Sequence, residues 1–439
     1  MIKKHKTLKR ITLALLILFI LVISFVYVKY VYIKDMIVDT WTQVEFMELP
    51  KSETYKVTST AKGDNQRKID QLGDTIFTYY LDNTGCVDAS ARGNDKTLKL
   101  LMINDQGTYT IFDSIPVWMH GNVLVDEEKS LIYYTTYEEV FDYDMYYGQV
   151  KIYTYDYNQG LPIRIDEKTL KDDLQNPYQA NPRVGADIDD LGNIAVAYSN
   201  YTGTMYVHVY DALNENWIEH SITYSDETYL NDCNLYPYVR IKGINHIRII
   251  SNRDTTIKED GTYSIDPMRD YTRYFSYEGH TWNDFIFSDL RDESTEKDCA
   301  TSAPMDIYLD DDLTSHIIMK ENNHLVYYMI DRDDVVTIKD MPSFHLELAI
   351  IFVRIIHINN HLYYAVSGEG LDGFHRIGYV SIYDYETNEL YYQTNDVCYT
   401  PYLYLIRESY DQEIHMMLIS RDKDYDEHSE TVFITLELN

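Results

Sequence analysis

The sequence predicts an all-β chain, a seven-bladed β-propeller closed by an N-terminal strand and preceded by one transmembrane helix, on three observations. Tyrosine-rich apolar runs of strand length recur seven times, beginning at Thr75, Leu131, Ile194, Ile247, His316, Leu362 and Ile414. Six of the ten prolines (Pro116, Pro182, Pro237, Pro304, Pro342 and Pro401) each precede one of these runs by about 10 to 20 residues. Near the N-terminus stands an uncharged run of a kind found nowhere else in the chain, Ile11 to Val28.

That run follows a basic cluster, Lys3, Lys4, Lys6, Lys9 and Arg10. As a helix it would rise about 27 Å, close to the thickness of a bilayer's hydrocarbon core. Tyr27, Tyr30 and Tyr32 with Lys29 and Lys34 suit the far interface, where aromatic rings and long cationic side chains settle. The competing reading is a cleaved signal peptide, but no small-x-small site follows the run. The sequence therefore predicts a cytoplasmic basic tail over 1–10, a signal anchor over 11–33, a linker over 34–53 and an extracellular domain over 54–439. Its localisation would be the cell membrane, crossed once. Rich usage of Ile, Lys, Tyr and Asn is of a bacterial kind.

Net charge is −33, and the first 34 residues hold seven of the 38 Lys and Arg and none of the 71 Asp and Glu. The remainder is thus strongly acidic. Such a field repels nucleic acid and anionic lipid and favours cations or basic partners, while serving solubility as well. Cys86, Cys233, Cys299 and Cys398 are far apart, which argues against a structural zinc site and leaves disulfides or free thiols open.

After the anchor, helical periodicity gives way to short runs of β-formers broken by Asn, Asp and Gly. The 44 tyrosines suit strands, since the ring packs on a pleated surface while the hydroxyl reaches a polar partner. After each tyrosine-rich run comes a strand ending in an Asp/Asn turn, as in Val207-His-Val-Tyr-Asp-Ala-Leu-Asn and Val380-Ser-Ile-Tyr-Asp-Tyr-Glu-Thr-Asn. Four strands per unit, repeated at about fifty residues, predict a propeller, with two separate sandwiches as the competing topology. The last unit lacks a fourth strand, and Thr54-Tyr-Lys-Val-Thr-Ser-Thr is expected to supply it and close the ring.

Asn181-Pro-Arg-Val-Gly-Ala-Asp-Ile-Asp-Asp-Leu-Gly-Asn-Ile-Ala-Val-Ala-Tyr-Ser resembles a strand pair of a sialidase-like propeller blade, and Ser276-Tyr-Glu-Gly-His-Thr-Trp resembles that family's aspartate box with one residue fewer. The Tyr-Asp…Trp turn at 210–217 is similar to kelch blades, without their glycine doublets. The sialidase resemblance would imply three arginines around a substrate carboxylate and a Tyr–Glu nucleophile. The family's R-I-P entry motif is absent, and no catalytic residue is assigned.

Strand order places the second-to-third connections on one face, and several are long: 82–96, 137–149, 252–270, 367–376 and 421–429. Long loops on a rigid scaffold are where binding concentrates. Beside the prolines lie Trp118, Arg183, Tyr238, Arg240, His345 and Tyr402, a candidate ligand-binding rim of aromatic and cationic groups suited to a sugar or carboxylate, the alternative being that they pack against one another. Asp422, Asp424, Asp426 and Glu430 alternate as Ca2+-binding loops do, although Glu427 stands where such a loop prefers glycine. The expected function is binding of a glycan, cell-envelope polymer or protein partner through the loop-rich face. The alternatives are a sialidase-like glycoside hydrolase and a structural or assembly partner of a membrane complex.

Overall fold

The computed structural model describes residues 42–48, 69–82, 97–104, 109–116, 119–142, 145–158, 160–175, 184–199, 204–223, 232–257, 263–264, 272–287, 305–321, 324–341, 349–358, 361–372, 375–395, 399–405, 413–421 and 429–437. These residues form antiparallel sheets, each entered through its first strand. β1 (Thr42–Glu48) comes first in the chain but belongs to the last sheet.

Blade 1 comprises β2 (Ile69–Leu72), β3 (Thr75–Asp82), β4 (Thr97–Ile103) and β5 (Tyr109–Pro116). Blade 2 comprises β6 (Met119–Asp126), β7 (Leu131–Asp142), β8 (Met145–Asp156) and β9 (Ile163–Gln175). Blade 3 is β10 (Val184–Ile188), β11 (Ile194–Ser199), β12 (Thr204–Asp211) and β13 (Asn216–Thr223). Blade 4 is β14 (Asp232–Ile241), β15 (His246–Ile257), a short β16 (Tyr263–Ser264) paired to β15, then β17 (Arg273–Glu278) and β18 (Thr281–Ile286). Blade 5 is β19 (Met305–Leu309), β20 (Ser315–Glu321), β21 (His324–Ile330) and β22 (Val336–Asp340). Blade 6 is β23 (Ala349–Ile358), β24 (His361–Asp372), β25 (His375–Asp384) and β26 (Leu390–Asn395). The remaining strands, β27 (Tyr399–Leu405), β28 (Glu413–Arg421) and β29 (Ser429–Glu437), form a composite sheet that β1 completes.

Burial follows position in the blade. The first strand β10, Val-Gly-Ala-Asp-Ile, is buried at every residue because both its faces meet neighbouring first strands. The third strand β12 nearly alternates, and the outer strand β13 is mostly exposed. First strands of successive blades touch from β2 through β23, and β27 touches both β23 and β2. The core is correspondingly a series of apolar seams between blades. One joins Leu124, Tyr133 and Ile152 to Ala186, Ile194 and Val196. Another joins Tyr238 and Ile250 to Ile307, Ile317 and Tyr328.

Buried tyrosines fill these wedges while their hydroxyls reach partners: Tyr155 donates to Asp113 Oδ2 at 2.8 Å, Tyr79 to the Gly121 carbonyl at 2.7 Å, and Tyr274 lies 2.9 Å from Ser315 Oγ. Burial pushes the Tyr274 phenol up to about 12 and those of Tyr155 and Tyr134 higher still. They therefore stay neutral.

All seven tyrosine-rich runs are second strands, as their recurrence predicts. Other expectations are corrected. Six blades, not seven, are self-contained sheets of consecutive strands with described cores; the last sheet is composite. It is closed by Thr42–Glu48, within the stretch read as linker, and not by residues 54–60, which lie outside the described residues. Both segments are rich in β-formers, and the register on β29 sets Phe46 opposite Ile434 and Met47 opposite Phe433, a pairing visible only in the folded chain. The span 11–33 also lies outside the described residues. Among those described, no helix is long and apolar enough to cross a membrane, and the described elements are β-strands.

Two stretches expected to be loops are ladders instead. β7 and β8 stay paired from Leu131↔Asp156 to Asp142↔Met145, and β24 and β25 from Tyr363↔Asp384 to Asp372↔His375. These hairpins project on one face, while the short turns between first and second and between third and fourth strands share the other. Pro116 ends the outer strand β5, and Pro237 sits inside the first strand β14, on whose axial side no ladder bond is needed.

Candidate functional site

Of the six rim residues, Tyr238 and Arg240 have described side chains, and both are buried. Trp118, Arg183 and His345 lie outside the described residues. Tyr402 pairs with Ile419 in the composite sheet. Tyr238 and Arg240, two apart on β14, point together into the seam with blade 5. There Arg240 Nη2 lies 3.4 Å from Asp306 Oδ1, and the Arg354 guanidinium of blade 6 stands 5.9 Å from the Tyr238 ring centre. Of the two readings given to these residues, a ligand-binding rim or groups packed against one another, the burial of Tyr238 and Arg240 in the seam fits the second for this pair. Of the four predicted calcium ligands, Asp422, Asp424 and Asp426 lie outside the described residues, while Glu430 is in β29 opposite Ser420.

The seam continues outward as a polar row. Arg240 is the cross-strand partner of Arg248, Arg248 of Ser276, and Ser276 of Asn283. Two arginines side by side in a sheet repel unless anions meet them. Asp306 meets Arg240, Glu278 meets Arg248, and Asp334 of blade 5 accepts from Ser276 Oγ at 3.1 Å and Asn283 Nδ2 at 3.2 Å. Arg248 is wholly buried and also donates to the carbonyls of Ile247 and Tyr277, at 3.1 and 3.2 Å. Glu278 is the acid of the turn that resembles an aspartate box, and His246 Nδ1 lies 2.8 Å from its second oxygen. Burial would raise the Glu278 carboxyl, but the Arg248 guanidinium and His246 hold it below the ordinary range.

A further device escaped the sequence reading. Asp70, Asp187 and Asp306, each on the first strand of an odd-numbered blade, accept the backbone N–H of Val125, Ile241 and Ile355 on the first strand of the next blade, each at 2.9 Å. Asp187 thus serves as a seam lock, and the turn begins at Asp189, whose Oδ1 accepts from Leu191 N and Asn193 N. The recurrence of an Asp two to four residues ahead of an Asp at the turn, as in Asp70/Asp74, Asp187/Asp189 and Asp306/Asp310, was the available signal.

No constellation for glycoside hydrolysis assembles among the described residues. One described Tyr–Glu pair, Tyr153 with Glu138, belongs to blade 2, where Lys151 Nζ lies 2.8 Å from Glu138. The buried arginines Arg240, Arg248, Arg273 and Arg354 belong to blades 4 and 6. Nor does any described group of His, Cys, Asp and Glu form a metal-binding set.

His208 supplies a pH dependence. Burial pushes its imidazole down from 6.5 to about 4, and its Nε2 lies 2.6 Å from the Tyr198 hydroxyl, so neutral His208 accepts that proton. The unfolded chain takes up a proton near 6.5 while the folded chain resists until about 4. Stability therefore falls as pH drops through that window, by about 2 to 3 kcal/mol at pH 4.5. Unfolding followed between pH 7.5 and 4.5 should show this slope, and His208→Gln should flatten it; an unchanged slope in the variant would remove His208 from the account. Below about pH 4 the lowered carboxyls of Glu278, Asp310 and Asp384 add a second loss, as their stabilisation disappears on protonation.

No family model matches this sequence, and no curated protein does. Similar solved structures include BBS1N in complex with ARL6DN, at 10% identity and a TM-score of 0.43, over 91% of this chain and 97% of that one. The β-propeller domain of the Trilobed protease from Pyrococcus furiosus, described as having an open velcro topology, is similar at 8% identity and 0.44, over 89% and 97%. The core factor of S. cerevisiae is similar at 8% identity and 0.44, over 91% of this chain and 62% of that one. At these identities the likeness concerns the fold alone.

Proposed function

We propose that this propeller is a recognition scaffold that binds a macromolecular partner, a protein in the first instance, through its hairpin face. The observation that carries the reading is the asymmetry between the two faces. On one, β7–β8 and β24–β25 continue their ladders to Asp142↔Met145 and Asp372↔His375, and β14–β15 continues to Asp232↔Thr256. On the other, turns such as 189–193 and 310–314 close within a few residues.

The β7–β8 ladder runs past the inner strand β6, whose pairing stops at Met119↔Tyr137, and the β24–β25 ladder runs past both flanking strands, whose pairing stops at Ala349↔Glu369 and Tyr379↔Asn395, so completing the four-stranded sheet does not set their length. Paired strands also present contact groups with little conformational entropy left to lose, an advantage in binding. The root of the β7–β8 hairpin is stiffened where the Tyr137 ring lies over Gly148; a Cβ there would fall 1.9 Å from the Tyr137 hydroxyl. Its tip reads Glu139-Val-Phe-Asp and Met145-Tyr-Tyr, a mixture of aromatic and acidic groups suited to a protein surface.

Hairpin truncation tests this. Replacing residues 139–147 by a two-residue Asn-Gly turn, and likewise 369–377, should leave the melting temperature within a few degrees and abolish binding to a protein recovered by cross-linking to the intact chain. Retention of that binding in both truncated proteins would refute the hairpin face. Glycan-array binding lost on truncation would instead move the assignment from protein to carbohydrate.

A further inference from the structure

The opposite face carries a different surface. Nine large apolar side chains stand exposed among the described residues, and five of them, Leu161, Ile163, Ile165, Leu191 and Leu213, belong to blades 2 and 3 at their short turns. Leu213 is 90% exposed and Leu191 71%. Scattered single exposures need no explanation, but a concentration in one sector does.

These side chains are held out by built turns. Asp189 Oδ1 accepts from Leu191 N and Asp211 Oδ1 from Leu213 N, both at 3.0 Å, so each leucine occupies the same place in an Asx turn. The turns are knit together: Ala212 N donates to Asn193 Oδ1 at 3.0 Å, and Tyr157 N to the Ser130 carbonyl at 3.1 Å. Gly192 approaches Asp126 so closely that a Cβ would fall 2.5 Å from its Oδ2, which abuts the first turn of blade 3 on that of blade 2. The corresponding positions in the turns of blade 5 are Asp312 and Asp333 instead of leucine.

Around the apolar tips stand exposed carboxylates, Glu127, Glu128, Asp166, Asp190 and Glu215. The cations nearby are engaged, Lys129 with Asp126 at 3.6 Å and Arg164 with Asp113 at 2.6 Å. The local field is therefore negative, as is the chain's. A partner for this sector needs apolar side chains for the leucines and cations for the rim.

We propose that the turn face of blades 2 and 3 docks a basic amphipathic segment of a partner protein, its Leu-, Ile- or Phe-type side chains on Leu191, Leu213 and Ile163 and its Lys or Arg on the surrounding carboxylates. Because the turns are fixed beforehand, little ordering opposes the contact. The surface lies on the face opposite the hairpins, so it stands or falls apart from the reading above.

A synthetic peptide of alternating Leu and Lys blocks is the probe, titrated into the full chain by calorimetry. The Leu191→Ser/Leu213→Ser variant should weaken binding at least about tenfold, and Glu127→Gln/Glu128→Gln/Glu215→Gln should weaken it comparably and reduce its salt dependence. These exposed positions are replaceable without loss of fold, which the melting temperature of each variant verifies. A Ser/Lys peptide of equal charge should bind much more weakly. Equal binding of the Ser/Lys peptide, or no effect of the leucine variant, would overturn the proposal in favour of unspecific charge attraction. Binding of the patch to anionic vesicles in place of the peptide would overturn it in favour of a lipid surface, and leucine-dependent self-association in sedimentation would do so in favour of a second copy.

Discussion

Gly185→Ala should destabilise the protein by about 3 to 5 kcal/mol, or prevent folding outright. Gly185 lies in β10, where the first strands of blades 3 and 4 make their closest approach. A Cβ added there would stand 2.1 Å from the Pro237 carbonyl oxygen and 2.9 Å from its carbon. Both are backbone atoms of β14, paired on their other side with β15, so neither can yield without moving the blade. Gly160 makes a suitable comparison. Its φ is +77°, and a Cβ there would meet nothing within 4 Å. Gly160→Ala should therefore cost only the conformational penalty, about 1 kcal/mol. Denaturant unfolding of the two variants separates a steric seam from ordinary turn strain, and a Gly185→Ala protein as stable as Gly160→Ala would refute the close approach.

Asp306→Ala should be comparably damaging, again about 3 to 5 kcal/mol. This buried carboxylate joins three blades: it belongs to blade 5, faces Arg240 of blade 4, and accepts the Ile355 N–H of blade 6. Truncation would remove the carboxylate that faces a buried guanidinium and leave a half-buried backbone donor without this acceptor. Asp306→Asn keeps an acceptor and loses the charge, so it should cost roughly half as much. If the alanine variant unfolds within about 1 kcal/mol of the parent, the lock carries no weight and the seams are held by apolar contact alone.

How far the sequence could be read depended on range. The second strands were legible from Thr75 to Ile414 because a second strand is flanked by partners on both sides and covered on both faces, so its central residues are predominantly apolar or aromatic. The Tyr-Asp turns after β12 and β25 were legible because an Asx turn is a local affair, with Asp211 accepting from Leu213 N and Asp384 from Thr387 N. The extended hairpins were mistaken for loops, since Gly368, Gly370 and Asp372 read as turn formers while the ladder overrides them. Arg240 and Tyr238 drew notice as residue types, but nothing in their spacing says whether they face a channel or a neighbouring blade.

The sequence by itself determined that the described part of this chain is built of strands, repeats at about fifty residues and is strongly acidic, because strand pattern, turn chemistry and charge are properties of neighbouring residues. Only the tertiary structure decided which N-terminal segment completes the last sheet, that Asp70, Asp187 and Asp306 lock one first strand to the next, and that Leu191 and Leu213 share a surface. Each of these joins groups that are brought together by the packing of blade on blade, and the sequence separation of 54 between Asp187 and Ile241 leaves no local trace of the 2.9 Å contact between them.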